Sequence, residues 1–228
     1  MAWSPPPAVV TLRIQMPKPQ PFVLDPEKTA LVIVDMQEIS RASARTRDII
    51  PGNVTLLKKF REAGAPVIFI QSVRTPDGLE MTRFGKELWR AEGSPEAEII
   101  SELPPLPTEP IIKKYNHDPF VKSGLDALLD TMGIVPKDWT ILVPGVDAAA
   151  CAHACAMGFS NRHFMTIIPM DATAAGSWEE EARVYDQYMG PGYAYNMGFT
   201  TSDLVTLEAG AVPAEKQLRQ LPAYSASS

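Results

Sequence analysis

TALVIVDMQ, residues 29–37, is the stretch on which the fold turns. Its apolar run is unbroken from Ala30 to Val34. A strand with one face in water alternates apolar and polar residues, so this one is covered on both faces, as strands of parallel sheets are. The chain outward from it agrees. A helix is expected near 50–63, with Ile50, Val54, Leu57 and Phe60 at spacings of three and four, Pro51 in its first turn and Gly64 as its stop. PVIFIQSV (66–73) is a second buried strand, and EPIIKKY (109–115) a third; between them a polar, Gly- and Pro-punctuated stretch holds a short helix around 95–101. Ser123, with Asp126 three residues on, caps a helix whose Leu125, Leu128, Leu129 and Met132 share one face and which Gly133 closes. WTILVPGV (139–146) and HFMTIIPM (163–170) are further strands, helices cover 151–162 and 177–189, and a last extended piece lies near 198–201. This β-α-β-α alternation predicts an α/β fold with a doubly wound, parallel, right-handed sheet.

Residues 1–27 form a proline-rich arm, 28–212 one domain, and 213–228 a tail. The arm carries seven prolines, which favour extended backbone over a sheet of its own. The 228 residues, 45% hydrophobic and 21% charged, describe an ordinary globule and exclude collagen, coiled coil or disorder as the main account. Twenty-one Lys and Arg against 27 Asp and Glu give a net charge of −6, a poor match to nucleic acid. Cys151 and Cys155 make no disulfide framework and fit a reducing, cytoplasmic compartment. The opening MAWSPPPAVVTLRIQMPKPQP has no signal-peptide core, and no run approaches the ~18 apolar residues of a membrane span, so no membrane partner is expected.

In a doubly wound sheet, ligands sit beyond the carboxyl ends of the strands. Three such ends carry chemistry. Asp35 closes the run of Val and Ile, where an acid must be desolvated or find a partner. Lys114 closes the third strand and supplies a cation. Cys151 follows the fourth in GVDAAACAHACAMGF, where the first turn of a helix favours thiolate. An acid, a cation and a thiol at one rim are the parts of a cysteine hydrolase. Of the three histidines, His153 points away from Cys151 on a helix and His163 starts a strand at the opposite rim. His117, three residues past Lys114, can reach, but reads more readily as a loop residue, so the base is expected to be a carboxylate.

TALVIVDMQ, the segment KYNHDPF (114–120), the GV-x4-C turn and MDATAA (170–175) together resemble the isochorismatase-like cysteine hydrolases, a family that includes nicotinamidases and N-carbamoylsarcosine amidohydrolase. The resemblance covers roughly residues 28 to 206. It implies a six-stranded, mostly parallel sheet and a triad of Asp35, Lys114 and Cys151, with Lys114 preferred to Lys113 because the family's lysine stands six before a Phe, here Phe120. It further implies a cis, non-proline Val146–Asp147 peptide and an oxyanion hole from the N–H groups of Asp147 and Cys151. Asp147, Ala148, Ala149 and Glu38 depart from the family's usual residues, which bears on pocket shape. SVRTPDGLEMTRF (72–84) lacks the histidine of the metal-binding members, so neither metal nor cofactor is expected.

The expected reaction is hydrolysis of a small amide, ureido or carbamoyl compound through a thioester on Cys151. Metal-free vinyl-ether hydrolysis of the isochorismatase kind and a non-catalytic binding module are the alternatives; a dinucleotide site is weaker, since no G-x-G-x-x-G follows the first strand. Arg41, Arg45 and Arg74 are candidates for a substrate carboxylate, and Tyr115, Phe120 and Trp178 for pocket walls. Val9, Val10, Leu12, Ile14, Phe22 and Val23 would be exposed on a free arm, and the family's dimers and tetramers suggest a homo-oligomer in which residues 1–26 cross an interface.

Overall fold

The computed structural model describes residue 14, residues 16–85 and residues 89–220. The run around Val32 forms β2 (Thr29–Val34), every residue of it buried. Its side chains alternate between two cores. Leu31 and Ile33 pack with Phe60 and Leu56 of α1 (Ala44–Glu62) on one face, while Ala30, Val32 and Val34 meet α3 (Leu125–Thr131), α4 (Cys151–Asn161) and α5 (Trp178–Met189) on the other. A period-two strand between two helical layers explains the unbroken apolar run.

The central ladder is parallel throughout, in the order β4 (Ile111–Lys114), β3 (Val67–Ser72), β2, β5 (Thr140–Leu142), β7 (Met165–Pro169), β9 (Met197–Thr200). Two further strands, β6 (Gly145–Val146) and β8 (Thr173–Ala174), bring the sheet to eight rather than six. The strand expected over 139–146 is two strands because Pro144 has no N–H for the ladder; its carbonyl accepts from Val34 N at 2.9 Å. Beyond it Gly145 pairs with Val34 and Thr173.

Gly145 has φ +117, and a Cβ there would lie 2.0 Å from the Val34 carbonyl oxygen. Gly145→Ala is therefore expected to cost roughly 3 kcal/mol, from a disfavoured backbone and a clash with immovable main chain. Urea denaturation checks it, and a midpoint equal to that of the parent would show that the turn relaxes at no cost.

Other elements differ from expectation. α1 begins at Ala44, six residues early, so Pro51 lies inside it. Its first turns lack an apolar stripe and are held by polar contacts, Arg45 to Glu181 at 2.6 Å and Arg47 to the Arg41 carbonyl at 2.6 Å. Ser123 stands one residue before the helix cap, Gly124, and accepts from Leu125 N at 3.2 Å. The helix expected around 95–101 shrinks to one 3-10 turn, Pro95–Ala97, and α2 (Leu79–Phe84) lies in the stretch read as irregular.

Part of the arm folds on its own chain. β1 (Phe22–Leu24) pairs in parallel with β10 (Val205–Leu207), and Phe22 and Leu24 are buried in the α1-side core. The tail joins them: α6 (Ala214–Arg219) buries Leu218, and the Gln217 amide both donates to Val23 O at 2.6 Å and accepts from Val23 N at 3.1 Å. Val9, Val10, Leu12 and residues 221–228 lie outside the described residues. Among the described residues no helix is long and apolar enough to cross a membrane.

Candidate active site

From β2 the chain crosses to β3 and β4 on one side, whereas β5, β7 and β9 lie on the other. A crevice opens beyond the carboxyl ends where the winding reverses. Asp35 follows β2 there, with φ 50, 2% exposed. Lys114 is the last residue of β4, fully buried, opposite Ser72 of β3. Cys151 is the first residue of α4. Lys114 Nζ lies 2.8 Å from Asp35 Oδ2 and 3.1 Å from Cys151 Sγ, and donates to the Asn116 carbonyl at 3.1 Å. Three separate strand ends thus deliver an acid, a cation and a thiol to one point. Lys113 points the other way, to Glu92 at 2.8 Å.

Burial, and after it the negative charge of Asp35, pushes the Cys151 thiol up to about 11, against the opposing pull of Lys114. Against the expectation that a helix N-terminus favours thiolate, desolvation of the buried sulfur disfavours its charged form. Cys155, one turn on and fully buried, is likewise raised well above its ordinary value by desolvation. Iodoacetamide alkylation of Cys151 is accordingly expected to climb roughly tenfold per pH unit from neutrality and to level off only in strong alkali. A plateau reached at neutral pH, followed by intact mass, would show a thiolate already present.

The Val146–Asp147 peptide is cis. The Asp147 carbonyl accepts from Ala150 N and Ala152 N, both at 2.9 Å, and its carboxylate from Ala149 N at 2.7 Å. Among the described residues neither Asp147 N nor Cys151 N has an acceptor within the protein. Burial raises the Asp147 carboxyl above its ordinary range, with Ala149 N opposing. Gln37, from the Asp-x-Gln of β2, is structural: its amide donates to the carbonyls of Ser72 and Ala97 at 2.9 and 2.6 Å and accepts from Ser72 N at 3.1 Å.

A cleft of about 400 Å³ opens over Cys151, walled by Asp35, Arg90, His117, Asp147 and Ala175 among others. Arg41, Arg74, Tyr115, Phe120 and Trp178 are not among its lining residues. Arg41 is tied to Glu38 and Glu102 near the surface, and Arg74 to Glu80 at 2.5 Å. Tyr115 alternates with Lys114 and faces out, 43% exposed. Phe120 is a core filler, 4.9 Å from the Phe159 ring and against Gly158. Trp178 is covered by the Arg45 guanidinium at 3.6 Å, itself paired with Glu181.

Two residues take the vacated places. Arg90 sits with Nη1 3.8 Å from Asp35 Oδ2 and its guanidinium 4.1 Å from the Trp89 ring centre; burial lowers its pKa, with Asp35 opposing. No periodicity marks it, since it lies in an irregular loop. His117 places Nδ1 3.3 Å from Cys151 Sγ. The Asp118 side chain accepts from Phe120 N at 2.9 Å, a turn that folds the loop back over the rim. His153 instead meets the Tyr188 hydroxyl at 2.7 Å. Among the described residues no group of three or more His, Cys, Asp or Glu side chains is placed to hold a metal ion.

The family model described as Isochorismatase domain matches residues 29–197. The ureidoacrylate amidohydrolase RutB of Pseudomonas savastanoi pv. phaseolicola (strain 1448A / Race 6) is 23% identical over 206 residues, 76% of this chain and 82% of that protein. Streptothricin hydrolase of Streptomyces noursei is 30% identical over 152 residues, 64% of this chain and 49% of its own. Among solved structures, N-carbamoylsarcosine amidase from Thermoplasma acidophilum superposes with a TM-score of 0.65 at 25% identity, covering 77% of this chain and 97% of that one.

Proposed function

The chain belongs to the isochorismatase family of hydrolases, whose domain spans residues 29–197, and we propose that it cleaves the C–N bond of a small amide, ureido or carbamoyl compound through a thioester on Cys151. The observation that carries this reading is Lys114 Nζ lying between Asp35 Oδ2 and Cys151 Sγ, at 2.8 and 3.1 Å. The similarity to relatives named ureidoacrylate amidohydrolase and N-carbamoylsarcosine amidase supports the substrate class.

Because burial disfavours thiolate at Cys151, attack needs a base, and Asp35 is that base. Lys114 keeps the carboxylate oriented and meets the charge that develops on sulfur. As sulfur adds to the carbonyl carbon, the oxyanion settles on the N–H groups of Asp147 and Cys151, which have no acceptor among the described residues. Asp35 then hands its proton to the departing nitrogen, ammonia or an amine leaves, and water cleaves the thioester. A vinyl-ether hydrolase or a bare binding module would leave this arrangement around Cys151 without a role.

An ammonia-release screen over small amides, ureas and carbamoylated amino acids tests the reading. Arg90 faces the cleft, so acidic compounds head the panel. Hydrolysis of a vinyl ether, with no ammonia from any amide, would overturn it.

A further inference from the structure

We propose that His117 is a fourth catalytic group, the base that activates the hydrolytic water in the second half of the reaction and then returns its proton to the sulfur of Cys151. The proposal rests on the thioester reading above and gives the second half of the reaction a base of its own, on the open side of the cleft.

His117 Nδ1 lies 3.3 Å from Cys151 Sγ, and among the described residues that sulfur is the ring's only hydrogen-bonding partner. The imidazole is part of the cleft wall. Asp35 is at the floor of the same cleft, 2% exposed and bound to the ammonium of Lys114. A carboxylate so placed takes a proton from sulfur readily, since the two are neighbours. A water arriving from solvent meets the exposed His117 loop first. The thioester carbon lies one bond from sulfur, so a water attacking that carbon from the open side passes the Nδ1 that stands 3.3 Å from the same sulfur.

The step balances as follows. With Nε2 protonated and Nδ1 free, the water oxygen bonds to the thioester carbon while one water proton passes to Nδ1. The tetrahedral intermediate collapses with cleavage of the C–S bond, whose electron pair stays on sulfur beside Lys114. Nδ1–H then protonates the sulfur, leaving an acid product, a thiol and a neutral imidazole. The return of that proton suits a sulfur whose burial disfavours the charged form. Asp35, Lys114, Arg90 and Asp147 are the charged groups facing this exchange from the other walls.

The test compares His117→Gln and His117→Phe with the parent on an amide from the screen, by rapid mixing with ammonia detection and by intact mass. The expected result is a retained first turnover, with about one ammonia released per active site, followed by steady turnover slower by on the order of 10²–10³-fold. An acyl adduct should accumulate on Cys151, and hydroxylamine, a stronger nucleophile than water, should restore the rate. Parental steady-state rates in both variants overturn the proposal. So does an equal loss of first and later turnovers with no adduct, which is what a merely structural histidine predicts. Failure of the amidohydrolase reading shows separately, as no ammonia from the parent, and takes the proposal with it.

Discussion

Cys151→Ala is expected to abolish turnover, a fall on the order of 10⁵-fold or more, while the protein stays folded. In the proposed mechanism the thiol supplies the covalent step, and Cys155, the other thiol, is fully buried. The stability cost is expected to be about 1 kcal/mol, because the side chain is small, 8% exposed and open on one side to the cleft. Serine at the same place should be equally inactive, since a hydroxyl is far less acidic than the thiol that Asp35 is placed to deprotonate. Mass spectrometry of the parent after limited alkylation should find one adduct on Cys151 before any on Cys155. Labelling of Cys155 first, with activity retained, would remove the thiol from the mechanism.

The parts of this site that were legible in the sequence are those attached to regular structure. Asp35 directly follows an element, Lys114 ends one and Cys151 begins one, so their places could be located to within a residue, and the doubly wound alternation said on which rim they stand. The failures have the complementary cause. Arg90 lies in an irregular loop that no apolar pattern marks, whereas His117, read as able to reach the thiol, owes its place to the turn that Asp118 makes with Phe120 N. Arg41, Arg74 and Trp178 follow the right strands or open the right helix, yet each is claimed by a partner, Glu102, Glu80 and Arg45 respectively. β1 and β10 escaped notice because three residues are too few to show a period, and prolines flank the first. At Cys151 the helix start is visible in sequence, whereas the desolvation that opposes thiolate is a property of the packed molecule.

Asp35→Asn separates the two demands placed on one carboxylate. As the proposed base, Asp35 accepts the thiol proton and passes it to the leaving nitrogen, and an amide of the same shape can do neither, so the rate is expected to fall by about three to four orders of magnitude. Retention of more than about a tenth of the parental rate, about 1.4 kcal/mol of barrier, would mean that another group is the base. As the partner of Lys114, it also neutralises an ammonium with no solvent exposure, 2.8 Å away. Removing the charge from one side of a buried pair costs about 3–5 kcal/mol, so the variant should also denature at lower urea. Lost activity from lost folding and lost activity from a lost base are told apart by adding Lys114→Met: the apolar replacement removes the stranded charge and should restore much of the stability, while turnover stays absent. The thiol gives an independent sign. Asp35 is one of the influences that raise the Cys151 pKa, so its neutralisation moves that pKa down and makes thiolate more abundant near neutrality. In Asp35→Asn alone, with Lys114 in place, alkylation of Cys151 should therefore quicken while hydrolysis collapses. A nucleophile that becomes more reactive in an enzyme that becomes inactive is explained if the missing function is proton delivery to the leaving nitrogen; parallel loss of both would assign Asp35 to holding the site together instead.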